Sequence, residues 1–176
     1  PAMISALKRL AVGLVAGCLA LPALAHKPSD SYLTLTQNGR TIEGQWDIAL
    51  RDLDFAIGLD ADGNGEITWG EVRVRHADIA AYAIARLGIE GDGGPCVIRA
   101  GEQLVDRHTD GAYTVLRFQV ACRDTPARLT LNYRLFADLD PQHRGLLNLQ
   151  AAGIARSAVL GPQAPSQTFE LRAAGR

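Results

Sequence analysis

The stretch SYLTLTQNGRTIEGQWDIAL, from Ser31 to Leu50, decides the class of the fold. Tyr32, Thr34 and Thr36 alternate with Leu33 and Leu35, the period-two pattern of a half-buried strand. Asn38-Gly39 follows and is a strong hairpin signal, because both residue types tolerate the positive φ that tight hairpin turns require. From Thr41 to Leu50 the alternation resumes, with Ile42, Gly44, Trp46 and Ile48 on one face. The pattern predicts a β-hairpin at the start of the folded domain.

Downstream of Leu50 the period changes. Leu53, Phe55, Ala56 and Leu59 suit a short helix. Trp69 to Leu87 suits a longer one, with Val72, His76, Ile79, Ala80, Ala83 and Leu87 at helical spacing and Gly88 as its stop. Gly91-Asp92-Gly93-Gly94-Pro95 reads as a flexible break. Beyond it lie strand candidates at 96–98, 103–107, 113–122, 128–135, 146–150 and 167–171, with turns at Asp140-Pro141 and Gly161-Pro162. In the third of these, Tyr113, Val115, Arg117 and Gln119 oppose Thr114, Leu116, Phe118 and Val120. The expected fold is α+β: a mainly antiparallel, β-sandwich-like domain over residues 26–172, with a helix–loop–helix inserted at about 51–87, between its second and third strands. Residues 173–176 read as a tail or the start of a linker, and no internal repeat is visible.

Upstream, Lys8 and Arg9 precede an apolar run from Leu10 to Leu21, then Pro22 and Ala23-Leu24-Ala25. A positive n-region, a short apolar h-region and an A-x-A site form a secretory signal, here residues 1–25 with Met3 as its start and cleavage after Ala25. The run is short of the roughly 20 residues of a membrane span, although an uncleaved anchor is an alternative. Val15-Ala16-Gly17-Cys18 offers a second alternative, a lipobox with Cys18 acylated. The expectation is an exported, periplasmic protein.

The 176 residues are 47% apolar and 21% charged, ordinary values for one folded domain. A formal net charge of −1 and 6% aromatics give no field or stacking surface for nucleic acid. Without the signal, Cys96 and Cys122 remain, an even pair that in an exported chain points to one disulfide, with two buried thiols as the alternative. Such a bridge closes a 27-residue loop, worth about 3.5 kcal/mol in the chain-entropy account.

The sharpest motif is DADGNGEITWGE, residues 60–71. It has the spacing of a twelve-residue EF-hand calcium loop. Calcium is a hard cation that takes about six to eight oxygens, and the loop offers them in register. Asp60, Asp62 and Asn64 stand at positions 1, 3 and 5, Glu66 at 7 through its carbonyl, Thr68 at 9, and Glu71 at 12 with two oxygens. Gly65 at position 6 permits the sharp turn, and Ile67 at position 8 is expected to pin the loop to the core. A bidentate Glu and seven oxygens favour calcium over magnesium. With three carboxylates and no second loop to pair with, the expected affinity is weak, on the order of 10⁻⁴–10⁻³ M, which makes a structural ion. Asp138 to Gly145 resembles such a loop superficially, but its glycine is misplaced and Pro141 spoils the geometry, so it reads as a turn.

A second candidate metal site is His26, whose amine and imidazole would together chelate copper or nickel once the signal is removed, a carrier or sensor alternative. His76 reads as a packing residue on a helix face, and His108 and His143 as exposed turn residues. Asp52 and Asp54 read as a solvated helix face near the loop. There is no G-x-S-x-G, no H-E-x-x-H and no phosphate-binding glycine loop, so neither an enzyme nor a small-molecule substrate is expected.

HKPSDSYL (26–33), GQWDIALRDLD (44–54) and DLDPQHRGL (138–146) together resemble the exported N-terminal domain of bacterial HupE/UreJ-like membrane proteins. The resemblance extends over most of the chain after His26. It implies a periplasmic module that is followed by membrane-spanning helices or works beside a membrane-protein partner, in a family linked to nickel or cobalt transport through hydrogenase and urease accessory roles. The chain reaches Arg176 without a spanning segment, so the resemblance does not assign transport to these residues.

Overall fold

A computed structural model describes residues 30–171. The expected hairpin forms from β1 (Asp30–Asn38) and β2 (Thr41–Ala49), antiparallel, with Leu33 opposite Trp46 and Leu35 opposite Gly44. Its turn is centred on Gly39-Arg40, one residue later than the Asn-Gly signal, with Gly39 at φ 63°. The helical insert follows as α1 (Leu50–Ile57), α2 (Trp69–Val74) and α3 (His76–Ile84).

The long helix expected over 69–87 is therefore two short ones, broken at Arg75, and Leu87 and Gly88 belong to a strand. That strand is β3 (Leu87–Gly91), which turns tightly into β4 (Gly94–Pro95). Leu87 and Ile89 point inward while Gly88 and Glu90 are exposed, so the segment pairs as a strand even though Ala83 and Leu87 keep helical spacing. The separate candidates at 96–98 and 103–107 are one strand, β5 (Val97–His108), with a register shift between Ala100 and Gln103. It pairs along its length with β6 (Gly111–Ala121). Then come β7 (Arg128–Tyr133), β8 (Arg144–Ala151), β9 (Ile154–Leu160) and β10 (Ser166–Glu170).

The strands make a six-stranded sheet, β5-β6-β2-β1-β8-β9, and a four-stranded sheet, β10-β7-β3-β4. The pairings are mainly antiparallel, as expected, and one is not: β1 and β8 run parallel, Leu33 beside Leu147 and Leu35 beside Leu149. Alternation dictates which face of a strand is buried and is silent on the direction of its neighbour. One apolar core joins both sheets and the insert: Leu33, Leu35, Ile42, Trp46, Leu116 and Val120 from the large sheet, Leu129, Leu131 and Ile89 from the small one, and Leu53, Val72, Ile79 and Ala83 from the helices. Gly44 sits on the buried face because the Phe118 ring occupies the space a Cβ would take.

Cys96 and Cys122 form a disulfide with Cα atoms 4.3 Å apart. They stand just outside the Val97–Ala121 pair and staple the open end of the β5–β6 ladder. The Cys96 amide also donates to the Ile89 carbonyl at 2.8 Å, so the staple lies where the two sheets meet. Among the described residues, no helix is long and apolar enough to cross a membrane.

Candidate metal centre

The loop at 60–71 hangs between α1 and α2, and each end is fixed by its own sequence. Gly58 ends α1 in a left-handed cap at φ 68°, its amide donating to the Asp54 carbonyl at 2.7 Å. The Asp54 carboxylate then takes the next two amides, Leu59 at 2.7 Å and Asp60 at 2.8 Å, through one oxygen. At the other end Thr68 caps α2. Its hydroxyl accepts from the Glu71 amide at 3.3 Å while the Glu71 carboxylate accepts from the Thr68 amide at 2.8 Å, a reciprocal capping box. Ile67 is half-buried against the core, as its loop position predicts.

Within the loop, the carboxylates organise the backbone. Asp60 accepts from the amides of Gly63 at 2.8 Å, Asn64 at 3.2 Å and Gly65 at 2.7 Å. Gly63 and Gly65 carry φ of 70° and 84°, which lets the chain curl around that side chain. Asn64 donates to Asp62 at 2.9 Å and accepts from the Glu66 amide at 2.7 Å. Glu71 reaches across the loop to accept from the Ala61 amide at 2.9 Å and from the Thr68 hydroxyl at 2.8 Å.

The result is a group of three carboxylates, Asp60, Asp62 and Glu71, whose ligating oxygens lie within 4.8 Å of one another. Bringing like charges this close favours protonation, yet donors hold the two end carboxyls ionised. The Gly65 amide, with those of Gly63 and Asn64, keeps Asp60 below the usual carboxylate range. The Thr68 amide and hydroxyl do the same for Glu71, against the opposing field of Asp60. Among the described residues, no Lys or Arg forms an ion pair with any of the three. Clustered carboxylate oxygens with no basic side chain beside them are the donor type a hard divalent cation takes.

Not every predicted ligand joins the cluster through its side chain. Asn64 lies beside it, bonded to Asp62, and the Thr68 hydroxyl is engaged by Glu71. The Glu66 side chain is exposed. His26, the signal at 1–25 and Cys18 lie outside the described residues.

Three histidines are described, and two depart from expectation. His143 is buried, 1% exposed, with Nε2 at 2.6 Å from the Tyr133 hydroxyl and its ring edge-on to Phe136. His108 closes β5 rather than sitting in an open turn; it stacks on Tyr113 and its Nε2 lies 3.2 Å from Asp47. His76 is half-buried, as expected of a packing residue, and bonds Gln103 at 2.7 Å, which bonds Thr114 at 2.7 Å. Asp54 is not a merely solvated acid, since it organises the entry to the loop. Arg75 is likewise engaged with both flanks of the loop, and residue spacing gives neither role away. The Thr68-x-x-Glu71 spacing, by contrast, is a readable capping signal.

A cavity of about 630 Å³ lies on the outer face of the six-stranded sheet, among Thr34, Gln45, Arg99, Arg117 and Gln119. Its charges are mixed, Arg117 lying 3.6 Å from Glu102, and no histidine or cysteine lines it. No protein-family model matches the chain. No curated protein matches it either.

Proposed function

We propose that residues 60–71 bind one calcium ion as an EF-hand loop, and that the ion holds the helical insert in place in an exported domain. The observation that carries this is the convergence of Asp60, Asp62 and Glu71, from loop positions 1, 3 and 12, with backbone donors keeping the end carboxylates ionised. Asp60, Asp62, Asn64 and Glu71 would hold the ion with side-chain oxygens, Glu66 with its carbonyl, and Thr68 directly or through water. The ion would supply the positive charge that this cluster lacks. The disulfide supports an oxidising compartment. The resemblance to HupE/UreJ-like proteins supports a membrane protein as its neighbour.

Calorimetric titration of the full chain and of Glu71→Gln tests the site. The expected result is one site in the range of about 10⁻⁴–10⁻³ M, lost in the variant. Sub-micromolar binding would overturn the structural role, and absence of binding the calcium assignment itself.

A further inference from the structure

The helix that leaves the loop breaks after six residues, and the residue at the break is bound to the helix that enters it. Arg75 adopts φ −92°, ψ 11° between α2 and α3. Its Nη1 donates to the Gly58 carbonyl at 2.8 Å and its Nη2 to the Ile57 carbonyl at 2.9 Å. Its Nε donates to Asp78 at 2.6 Å, which holds the guanidinium in place. Ile57 and Gly58 are the C-terminal end of α1, where carbonyls lack helical partners and the helix dipole is negative. A planar, permanently charged fork suits two such acceptors better than an ammonium does. One side chain therefore joins the residues just before the loop to those just after it.

The remaining supports of this frame are contacts of the chain itself. Asp54 fixes the amides of Leu59 and Asp60. α3 buries Ile79, Ala80 and Ala83, and His76 ties its start through Gln103 to Thr114 on β6. A loop whose two ends are pinned has little freedom to lose when a cation arrives, and its flanking helices have little freedom to swing apart.

We propose that Arg75 is a positioning residue for the cation site, clamping α1 to the α2–α3 junction so that calcium enters a preformed loop and leaves the helix pair closed. This rests on the calcium reading of residues 60–71. The site would then be a constitutive brace and not a switch that exposes an apolar groove.

The test is calcium calorimetry on the full chain, Arg75→Gln and Arg75→Lys, with amide NMR spectra and binding of a hydrophobic dye recorded with and without calcium. In the wild type, calcium-induced shifts are expected to stay within about residues 58–75 and dye binding to remain flat. Arg75→Gln should weaken calcium binding about tenfold, the scale of one lost charge-assisted contact. Arg75→Lys, which keeps the charge but not the fork, should fall between the two, with a folded spectrum in both variants. Wild-type binding with Arg75→Gln within twofold of it overturns the clamp and leaves the calcium site standing. Calcium-dependent dye binding by the wild type also overturns the clamp alone. No wild-type binding overturns the calcium reading and the clamp with it.

Discussion

Two tyrosine hydroxyls lie in the interior with opposite surroundings, and removing each should shift stability in opposite directions. The Tyr133 hydroxyl is 2.7 Å from Ser31 Oγ and 2.6 Å from His143 Nε2, and Trp46 donates to the same serine at 3.1 Å. All four residues are at most 1% exposed. Burial pushes the Tyr133 hydroxyl well above its usual range, so it stays protonated as a bridge between its partners. Tyr133→Phe removes two hydrogen bonds and leaves two buried polar atoms each short of a contact. At roughly 1–3 kcal/mol for a buried group left unsatisfied, the loss should be about 2–4 kcal/mol. The Tyr82 hydroxyl is also buried, and it has no hydrogen-bond partner among the described residues. Its ring packs under Arg86, 3.7 Å from the guanidinium, and against Phe136, contacts a phenylalanine retains. Tyr82→Phe should therefore be neutral or stabilising by up to about 1 kcal/mol. Urea unfolding with the disulfide intact, read by tryptophan fluorescence, measures both. Equal losses in the two variants, or a Tyr133→Phe change within about 0.5 kcal/mol of wild type, would refute the account of the buried network.

Two further outcomes follow from packing and ionisation. Gly44→Ala drives a methyl into the Phe118 ring, 3% exposed in the core, and should cost about 1–3 kcal/mol as overpacking. Adding Phe118→Leu should recover part of that, so additive losses in a double-mutant cycle would count against direct contact. Asp92 accepts from the amides of Ala127 at 2.6 Å and Arg128 at 3.2 Å, which holds its carboxyl below 3.8, its ordinary value. A folded-state pKa lowered in this way stabilises above the unfolded value and is lost as pH falls through the folded one. Asp92→Asn should thus flatten the acid limb of the melting temperature as pH falls below about 4, and parallel curves for the two proteins would contradict it.

Periodicity reveals a strand where one face meets the core and the other meets water. β1 and β2 satisfy that condition, with Leu33, Leu35, Ile42 and Trp46 all at most 1% exposed, and the hairpin is legible almost to the residue. β9 does not: along Ile154–Leu160 only the last residue is buried, so an edge strand leaves no contrast to read. β3 fails for a different reason. Its first inward residue, Leu87, stands four after Ala83, so the helical spacing runs on past the true end of α3. His143 reads as exposed because Asp140-Pro141 and Gly145 surround it with turn signals. What buries it is Tyr133, ten residues upstream, and Phe136, contacts set by tertiary packing.

The same distinction between local and distant divides the candidate site. The twelve residues of the loop carry their own instructions: Asp60 bonds the amides three to five residues ahead, and Glu71 bonds the residue three behind. Such contacts depend on spacing alone, and a spacing pattern can be read from the sequence. Arg75 spans 17 residues to Gly58, and His76 reaches 27 residues to Gln103 on another element. No spacing rule connects those pairs, because they meet only once α1, the α2–α3 junction and β5 have packed. The carboxylate cluster is therefore legible in the sequence, while the frame that presents it belongs to the tertiary structure. A loop grafted with its twelve residues alone would keep the carboxylates and lose the bonds of Arg75 to Ile57 and Gly58, so the acidic cluster and the frame around it are separable in this domain.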